Sequence, residues 1–231
     1  MIFLEIKKLS EKYGDIYVLR DFDLRVVKGE FVSIVGKFGV GKSTLLKIIA
    51  GLMPIYNGSI LIGGLTPKEA IKRRIVGIKF QKSNLLPWRS VLENLLLPLE
   101  LAGINDKDRA FQLLRLVNLE VISDLRVSQL SGGTEQLISI LRSLVLNPEL
   151  LLLDEPFSSL DEITREDLYE KIKLIHIKEK KTTLMITHSI DEAVKLSDRI
   201  VVLSDKPTRV KEIFDNKASK FDINEIRRCL K

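Results

Sequence analysis

The 231-residue sequence has one cysteine, Cys229, and two histidines. A single cysteine excludes a disulfide within the chain and a cysteine-based metal cluster, and it is typical of proteins from a reducing cytoplasm. The first residues lack the apolar core and small-residue cleavage site of a signal peptide. The apolar runs are too short or too interrupted to span a bilayer. We therefore expect a chain that is soluble on its own and reaches a membrane only through a partner.

The charge is only weakly biased towards one sign. Lysine and arginine number 37 against 31 aspartates and glutamates, for a net charge of +6. A basic excess can indicate a nucleic-acid or anionic-membrane partner, but here both signs alternate along most of the chain. The densest basic run, residues 178–181, is short and typical of a solvated helix end. The charge pattern therefore predicts no nucleic-acid partner.

Strand patterns alternate with helical patterns along the chain. Residues 30–36 form a nearly continuous apolar run, as in a buried parallel strand. Residues 75–81 are predicted to form another strand, residues 148–156 contain a strongly buried one, and residues 42–52 have helical apolar spacing. Residues from about 83 to 147 are largely helical in pattern, and we interpret them as an inserted subdomain. Residues 199–205 are predicted to form the final strand. The alternation predicts an α/β fold with a largely parallel sheet.

A glycine-rich loop follows the strand at 30–36 and opens a helix. Its sequence GKFGVGKS fits G-x-x-x-x-G-K-[ST] through Gly36, Gly41, Lys42 and Ser43. Glycines let the backbone wrap phosphates, and the helix N-terminus supplies positive potential. Lys42 is expected to neutralise the β- and γ-phosphates and Ser43 to offer its hydroxyl to Mg²⁺. A tight strand-to-helix turn without a ligand is the structural alternative. The predicted nucleotide contacts of this loop also include Gly39, Val40 and Thr44.

Two adjacent carboxylates complete this predicted site. Asp154 ends a buried strand, on the side where open α/β sheets bind ligands, and is expected to hold Mg²⁺ directly or through water. Glu155 follows it, and a carboxylate there can polarise an attacking water. An isolated Asp-Glu pair would otherwise be interpreted as a solvated strand end. The combination with the glycine loop predicts binding and hydrolysis of a nucleoside triphosphate.

A second glycine-rich motif, LSGG at residues 130–133, lies upstream of that carboxylate pair. With it, residues 3–214 resemble the ATP-binding cassette family, the nucleotide-binding subunits of ABC transporters. The resemblance implies a P-loop NTPase fold with a RecA-like, largely parallel core sheet, an N-terminal antiparallel β subdomain and an inserted helical subdomain. It also implies one ABC ATPase domain over residues 1–231, with a core lobe at 1–82 and 148–231 and the helical subdomain at about 83–147.

The resemblance assigns roles to residues outside the glycine loop. Tyr13 resembles the aromatic residue that stacks on adenine, and Gln81 the lid glutamine that contacts Mg²⁺ and the attacking water. His188 resembles the switch histidine that contacts the γ-phosphate. Ser159 and Asp161 resemble the loop that crosses a dimer interface. A surface tyrosine, a strand-end glutamine and a helix-capping histidine are the alternatives for the first three.

In this family two cassettes pack head to tail, and the signature loop of one completes the ATP site of the other. The resemblance therefore implies that Ser131, Gly132, Gly133 and Glu135 act on the nucleotide of a second copy or a related cassette. ATP and Mg²⁺ are the implied cofactors. Transmembrane permease subunits are the implied direct partners and an extracellular substrate-binding protein an indirect one. The implied location is the cytoplasmic face of the membrane.

Several residues depart from the family pattern. Phe38 stands in the glycine loop where many members have a polar residue. Thr134 and Glu135 replace common glutamine or methionine positions after LSGG, and Leu137 replaces a common arginine. Glu135 adds negative charge near a phosphate-facing loop. We therefore expect slower turnover or weaker dimerisation than is usual for the family, without loss of activity.

Residues 80–101 are similar to those of importers of nitrate, sulfonate, taurine and related small anions. Trp88 lies in this segment, where the family receives the coupling helix of the permease. Packing within the helical subdomain is the alternative role for Trp88. Two other functions compete with an importer ATPase: a soluble ABC ATPase that acts on nucleic acid or ribosomes, and a low-turnover ATP-dependent switch.

Overall fold

The computed structural model describes residues 1–158, 160–216 and 223–230. The strands of this part of the chain are β1 (Ile2–Tyr13), β2 (Ile16–Val27), β3 (Phe31–Val35), β4 (Asn57–Ile62), β5 (Val76–Lys79), β6 (Leu150–Asp154), β7 (Thr182–Thr187), β8 (Arg199–Leu203) and β9 (Val210–Asp215). Its helices are α1 (Lys42–Ile49), α2 (Pro67–Lys72), α3 (Val91–Ala102), α4 (Lys107–Leu116), α5 (Gly132–Leu144), α6 (Glu162–Glu179), α7 (Ile190–Leu196) and α8 (Ile223–Cys229). None of the described helices is long and apolar enough to cross a bilayer.

The first strands form a small antiparallel sheet of order β2-β1-β4. Alternate residues of β2 are buried, as expected for a sheet with one face on the core. At Gly58, where φ is +95°, a β-carbon would lie 2.4 Å from the carbonyl oxygen of Lys8. Only glycine therefore lets β4 approach β1 so closely. This sheet confirms the predicted N-terminal antiparallel β subdomain.

The central sheet has six strands in the order β5-β6-β7-β3-β8-β9. Every residue of β3, β6 and β7 is buried, which accounts for their unbroken apolar character. The neighbouring pairs from β5 through β8 are all parallel. The carboxyl ends of β5, β6, β7 and β3 are therefore adjacent along one edge, which is where such sheets bind ligands. The predicted α/β fold is confirmed.

The prediction that residues 199–205 form the last strand is wrong. β8 ends at Leu203, and the chain returns as β9, which pairs antiparallel with β8 at the edge of the sheet. Among the residues of β9 only Phe214 is buried. An edge strand exposed on most of its surface has little apolar periodicity, so the sequence pattern did not indicate it.

The predicted helical stretch between residues 83 and 147 contains α3, α4 and α5. Its apolar side chains form one cluster, with Leu95 of α3, Leu113 of α4 and Leu141 of α5 fully buried. The same cluster includes Leu151 and Leu153 of β6, so α5 also packs on the central sheet. Because α5 contributes to the sheet's packing, the subdomain boundary near 147 stays a prediction.

Candidate functional site

The glycine loop connects β3 to α1 and owes its shape to two residues with positive φ. Gly39 has φ +78° and Gly41 has φ +109°. A β-carbon on Gly41 would lie 2.5 Å from Cγ1 of Val18, so the loop also lies close against β2 there. The loop therefore keeps a conformation that other residues could not adopt, with α1 beginning at the next residue.

Lys42 lies inside the curve of this loop. Its Nζ donates to the carbonyl oxygens of Gly36 at 2.7 Å and Lys37 at 2.9 Å, and the residue is almost fully buried. Burial lowers the pKa of the Lys42 ammonium, whereas the charges of Glu155 and Asp154 oppose that shift. The loop thus holds one cation at its centre, facing two carboxylates across the edge of the sheet.

Asp154 and Ser43 form an oxygen-rich corner beside the loop. The hydroxyl of Ser43 lies 3.5 Å from Oδ1 of Asp154, at the junction of α1 and β6. Burial raises the pKa of the Asp154 carboxyl, and the charge of Glu155 adds to that shift. A bound cation would offset both effects. Hydroxyl, carboxylate and amide oxygens are the ligands that suit Mg²⁺, so Ser43, Asp154 and Gln81 fit this metal.

Glu155 is held from two sides at the end of β6. Gln81 Nε2 donates to its Oε2 at 3.3 Å, and His188 Nδ1 lies 3.4 Å from its Oε1. The backbone of Glu155 has φ +40°, and its N–H donates to the carbonyl oxygen of Ile186 at 3.0 Å. A non-glycine residue in this region costs about 1–3 kcal/mol and is typical of functional sites. The carboxylate is thereby oriented by residues that follow β5 and β7, the two strands on either side of β6.

The N-terminus of α7 supports His188. Ser189 caps the helix by accepting from the N–H of Glu192 at 3.3 Å. The Glu192 carboxylate accepts a hydrogen bond from the hydroxyl of Thr187 and not from the N–H of Ser189. The oxygen of that hydroxyl in turn accepts from the Ser189 N–H. Burial raises the pKa of Glu192. The residues on either side of His188, Thr187 and Ser189, are therefore both held by hydrogen bonds.

Tyr13 ends β1 with its side chain 53% exposed. Its hydroxyl lies 3.8 Å from Sδ of Met53, a residue in the segment after α1. Tyr13 thus contacts the segment that follows α1. The exposed part of its ring is accessible to a planar ligand.

The signature motif LSGG forms the start of α5. Ser131 caps the helix by accepting from the N–H of Thr134 at 3.3 Å. A β-carbon on Gly133 would lie 2.1 Å from Cγ2 of Thr164 on α6, whereas one on Gly132 would make an ordinary contact. The helix start is exposed at Ser131 and Gly132. An exposed helix N-terminus carries positive potential and attracts anions.

Comparisons with known proteins show the family of this chain. The family model described as ABC transporter matches residues 19–158. The chain belongs to the ABC transporter family. The taurine import ATP-binding protein of Escherichia coli O157:H7 is 40% identical over 99% of this chain and 90% of its own length. An aliphatic sulfonates import ATP-binding protein of Bacillus cereus is 39% identical over 91% of this chain and 83% of its own.

Solved structures are similar over nearly the whole chain. The dimeric ATP-binding cassette MJ0796 in a post-hydrolysis state, bound to ADP and Pi, matches with a TM-score of 0.78 and 32% identity, covering 92% of this chain and 98% of its own. A cassette of Clostridium perfringens, part of an ABC transporter complex, matches with a TM-score of 0.87 and 25% identity, covering 98% and 94%. This ABC cassette is an ATPase that serves membrane transport, and the non-transport alternatives are not favoured.

The signature helix of this ABC cassette is clamped to the segment that follows Gln81, a link that no sequence motif indicated. Glu135 accepts a hydrogen bond from the hydroxyl of Ser83. The carbonyl oxygen of Ser83 accepts from Ser139 Oγ at 2.8 Å and from Arg142 Nη2 at 3.0 Å, and Arg142 Nη1 donates to the carbonyl oxygen of Asn84 at 3.0 Å. The Glu135 carboxylate therefore binds its own chain on one side of α5.

Only part of the predicted dimer loop is described. Ser159 lies outside the described residues. Asp161 caps α6, accepting from the Thr164 N–H at 3.0 Å and its hydroxyl at 2.7 Å, and these bonds lower the pKa of the Asp161 carboxyl. Arg165 Nη2 donates to the carbonyl oxygen of Leu160 at 2.8 Å. The end of this loop is thus held by the first turn of α6.

Lys79 is a charged residue of this region that the sequence patterns did not indicate. It is the last residue of β5 and is 1% exposed, with its Nζ 3.2 Å from the carbonyl oxygen of Gln81. Burial lowers the pKa of Lys79 to about 8, against the opposing charges of Asp154 and Glu155. In the sequence, a lysine in an otherwise apolar strand was the one available signal.

Proposed function

We propose that this cassette is the energy-coupling subunit of an importer of small anions of the sulfonate and taurine class. Two supports carry the substrate class: relatives named for taurine and aliphatic sulfonate import, at 39–40% identity, and the resemblance of residues 80–101 to such importers. The cassette works at the cytoplasmic face of the membrane, bound to permease subunits, with an extracellular substrate-binding protein as an indirect partner. Sulfonate and nitrate are distinguished by transport measurements rather than by the cassette itself.

The observation that carries the ATPase chemistry is the convergence of charged groups at the ends of β3, β5, β6 and β7. Lys42 and the loop N–H groups bind the phosphates of ATP, and His188 contacts the γ-phosphate. Glu155, held between Gln81 and His188, orients the attacking water and accepts its proton. Ser43, Asp154 and Gln81 would hold Mg²⁺. When bound, this ion neutralises charge on the phosphates.

The signature loop acts on the ATP of a second subunit. Ser131 and Gly132 are exposed at the start of α5, where the N–H groups are available to an anion. The cavity beside them is lined by residues of α5 and α6, including Gly133 and Thr164. A two-fold dimer uses each such surface twice and makes two equivalent sites. ATP then joins two cassettes, and hydrolysis releases them.

The permease contact is supported by the chain between β5 and α3. Trp88 is 69% exposed there, while its neighbour Leu85 is buried in the cluster of the helical region. A large exposed aromatic residue on a buried base is typical of an anchor for a partner helix. Ser83 of the same segment is hydrogen-bonded to α5. A movement of this segment caused by the permease would therefore also move the signature helix.

The dimer mechanism is tested with Glu155→Gln, which keeps the size of the side chain but removes the base. With ATP and Mg²⁺, size-exclusion chromatography is expected to show a stable dimer, and phosphate release is expected to fall at least a hundredfold. Adding Ser131→Arg should return the protein to monomer, because it blocks the signature loop. Glu166→Gln, at an exposed ion pair with Lys195, is the matched control and should behave as wild type. A Glu155→Gln protein that stays monomeric with ATP at all salt concentrations contradicts the proposal.

The substrate class is tested on the complex with its co-purified permease in liposomes. Uptake of taurine or an alkanesulfonate, with ATPase activity that depends on that substrate and its binding protein, is the expected result. Uptake of nitrate alone would correct the substrate class and leave the ATPase mechanism intact. The steady-state rate of ATP hydrolysis in the same preparation also tests the expectation of slow turnover. That expectation rests in part on Phe38, which is 92% exposed in the glycine loop. Absence of ATP hydrolysis in this complex would contradict an active ATPase.

A further inference from the structure

Phe38 is an apolar residue of the glycine loop that the ATPase mechanism does not use. Its phenyl ring is the most exposed large apolar side chain among the described residues. The loop curves around Lys42, so Phe38 belongs to the rim of the proposed phosphate site. An exposed ring leaves a large apolar area in water, and a complex that buries this area is stabilised by the burial.

A cavity of about 250 Å³ lies beside the signature loop, between α5 and α6. Leu137 and Leu168 line it with buried apolar side chains, and Ile163, which is exposed on the first turn of α6, adds apolar surface. The ion pair between Asp167 and Lys171, at 2.7 Å, makes another part of the lining polar. Ligand pockets usually have volumes of about 300–1,000 Å³, so this smaller cavity suits one side chain better than a whole ligand.

The cavity is continuous with the surface that the signature loop presents to a second copy, because Ser131 and Ile163 both line it. In the proposed dimer, Ser131 of one copy reaches the phosphates that Lys42 holds in the other. The residues around Ser131 therefore face the residues around Lys42 across the interface. Phe38 is separated from Lys42 by at most about 14 Å of extended chain, and the curve of the loop shortens that distance. The ring of one copy thus faces the cavity of the other, and the two-fold axis forms this contact twice.

We propose that Phe38 of one copy docks into the cavity at Leu137 and Ile163 of a second copy, and that the two symmetric contacts stabilise the ATP-bound dimer. The inference rests on the dimer given under the proposed function. An aromatic side chain in an apolar pocket with a polar rim is the arrangement that carries most of the binding energy in protein interfaces. The sequence pattern predicted the opposite effect of Phe38, weaker dimerisation, so the sign of the change decides between the two interpretations.

The dimer dissociation constant is measured by analytical ultracentrifugation of the isolated Glu155→Gln protein with saturating ATP and Mg²⁺. Phe38→Ser removes the ring and Ile163→Glu puts a charge at the cavity, so each should raise this constant at least tenfold. Phe38→Leu keeps an apolar side chain and should raise it less than threefold. Ile177→Glu is the matched control and should change it less than twofold. Ile177 is also an exposed isoleucine of α6, but it lies about 21 Å further along the helix.

The position of the ring is tested by cross-linking the same Glu155→Gln protein after its single cysteine is removed with Cys229→Ser. Phe38→Cys and Ile163→Cys in one chain should give a covalent dimer with a short bismaleimide, and only when ATP is present. Phe38→Cys paired with Ile177→Cys should give no covalent dimer under the same conditions.

Dissociation constants within twofold of the Glu155→Gln value for both Phe38→Ser and Ile163→Glu overturn the proposal, as does tighter dimerisation of Phe38→Ser. Absence of the Ile163 cross-link, or an equal yield at Ile177, places the ring elsewhere and has the same consequence. If Phe38→Ser weakens ATP binding to the monomer by the same factor, the ring acts on the nucleotide and the docking is refuted. Loss of the folded circular dichroism spectrum in both variants would refute it too. A Glu155→Gln protein that itself fails to dimerise with ATP contradicts the proposed function, which distinguishes that failure from a failure of the docking.

Discussion

The hydrogen bond between Ser83 and Glu135 offers a direct test of how the segment after Gln81 is joined to the signature helix. Substituting Ser83→Ala, Glu135→Ala and both together removes this bond and leaves the Ser139 and Arg142 bonds to the same segment intact. A hydrogen bond to a charged acceptor contributes about 1.5–3 kcal/mol, and the half-buried position of Glu135 places it at the lower end. We therefore expect a coupling energy of about 1–2 kcal/mol in a double-mutant cycle.

The coupling energy is measured by urea unfolding of the four proteins, since each single variant should lose stability and the double variant less than their sum. Glu135→Gln keeps an acceptor oxygen and should retain part of the coupling. In the Glu155→Gln background, Glu135→Ala should also raise the ATP concentration needed for dimerisation, because the clamp orients the start of α5. Additive losses, within about 0.5 kcal/mol, would refute the clamp as an energetic link. Tighter dimerisation would instead favour the simpler view that Glu135 repels phosphate.

Three further predictions follow from single side chains. Gly133→Ala should cost about 1–3 kcal/mol in urea unfolding, because its β-carbon meets the Thr164 methyl group; Thr164→Ser should restore stability, and Gly132→Ala should change little. The stability of Asp154→Asn should rise relative to that of the wild type as pH rises. Folding raises the pKa of the Asp154 carboxyl, so the stability that this group contributes to the wild type is fully present below the unfolded value of 3.8. That stability is lost as pH rises through the folded pKa. Equal pH profiles of the two proteins would contradict this. Tyr13→Ala should weaken ATP binding about tenfold, since base stacking contributes about 1–3 kcal/mol, and an unchanged affinity would remove Tyr13 from the site.

The parts of the site that were predicted from sequence are those in which neighbouring residues in the chain do the chemistry. The glycine loop combines its positive-φ glycines and Lys42 in one short segment. Asp154 and Glu155 are consecutive in the sequence. Such motifs are local because the conformation of a short backbone segment depends on its own residues. Alternating strand and helix patterns likewise indicated the α/β fold, since burial imposes a period on each element.

Residues whose roles depend on distant neighbours were missed or only partly understood. The departure at Glu135 was interpreted as a charge near phosphate, whereas its carboxylate binds Ser83, 52 residues earlier. Lys79 carried no motif, and its burial at the end of β5 is a consequence of tertiary packing. β9 escaped prediction because an exposed edge strand has no apolar period. Pairing between remote residues is decided by packing, which no local pattern records.

The sequence by itself determined that this chain binds a nucleotide through a strand, a glycine loop and a helix, because those residues dictate their own backbone shape. The tertiary structure alone decided which remote groups share the site. The order β5-β6-β7-β3 sets Gln81, Glu155 and His188 side by side at one edge. The physical reason is that strand order depends on how apolar faces are buried together across the whole chain, whereas a loop's conformation depends on a few consecutive residues.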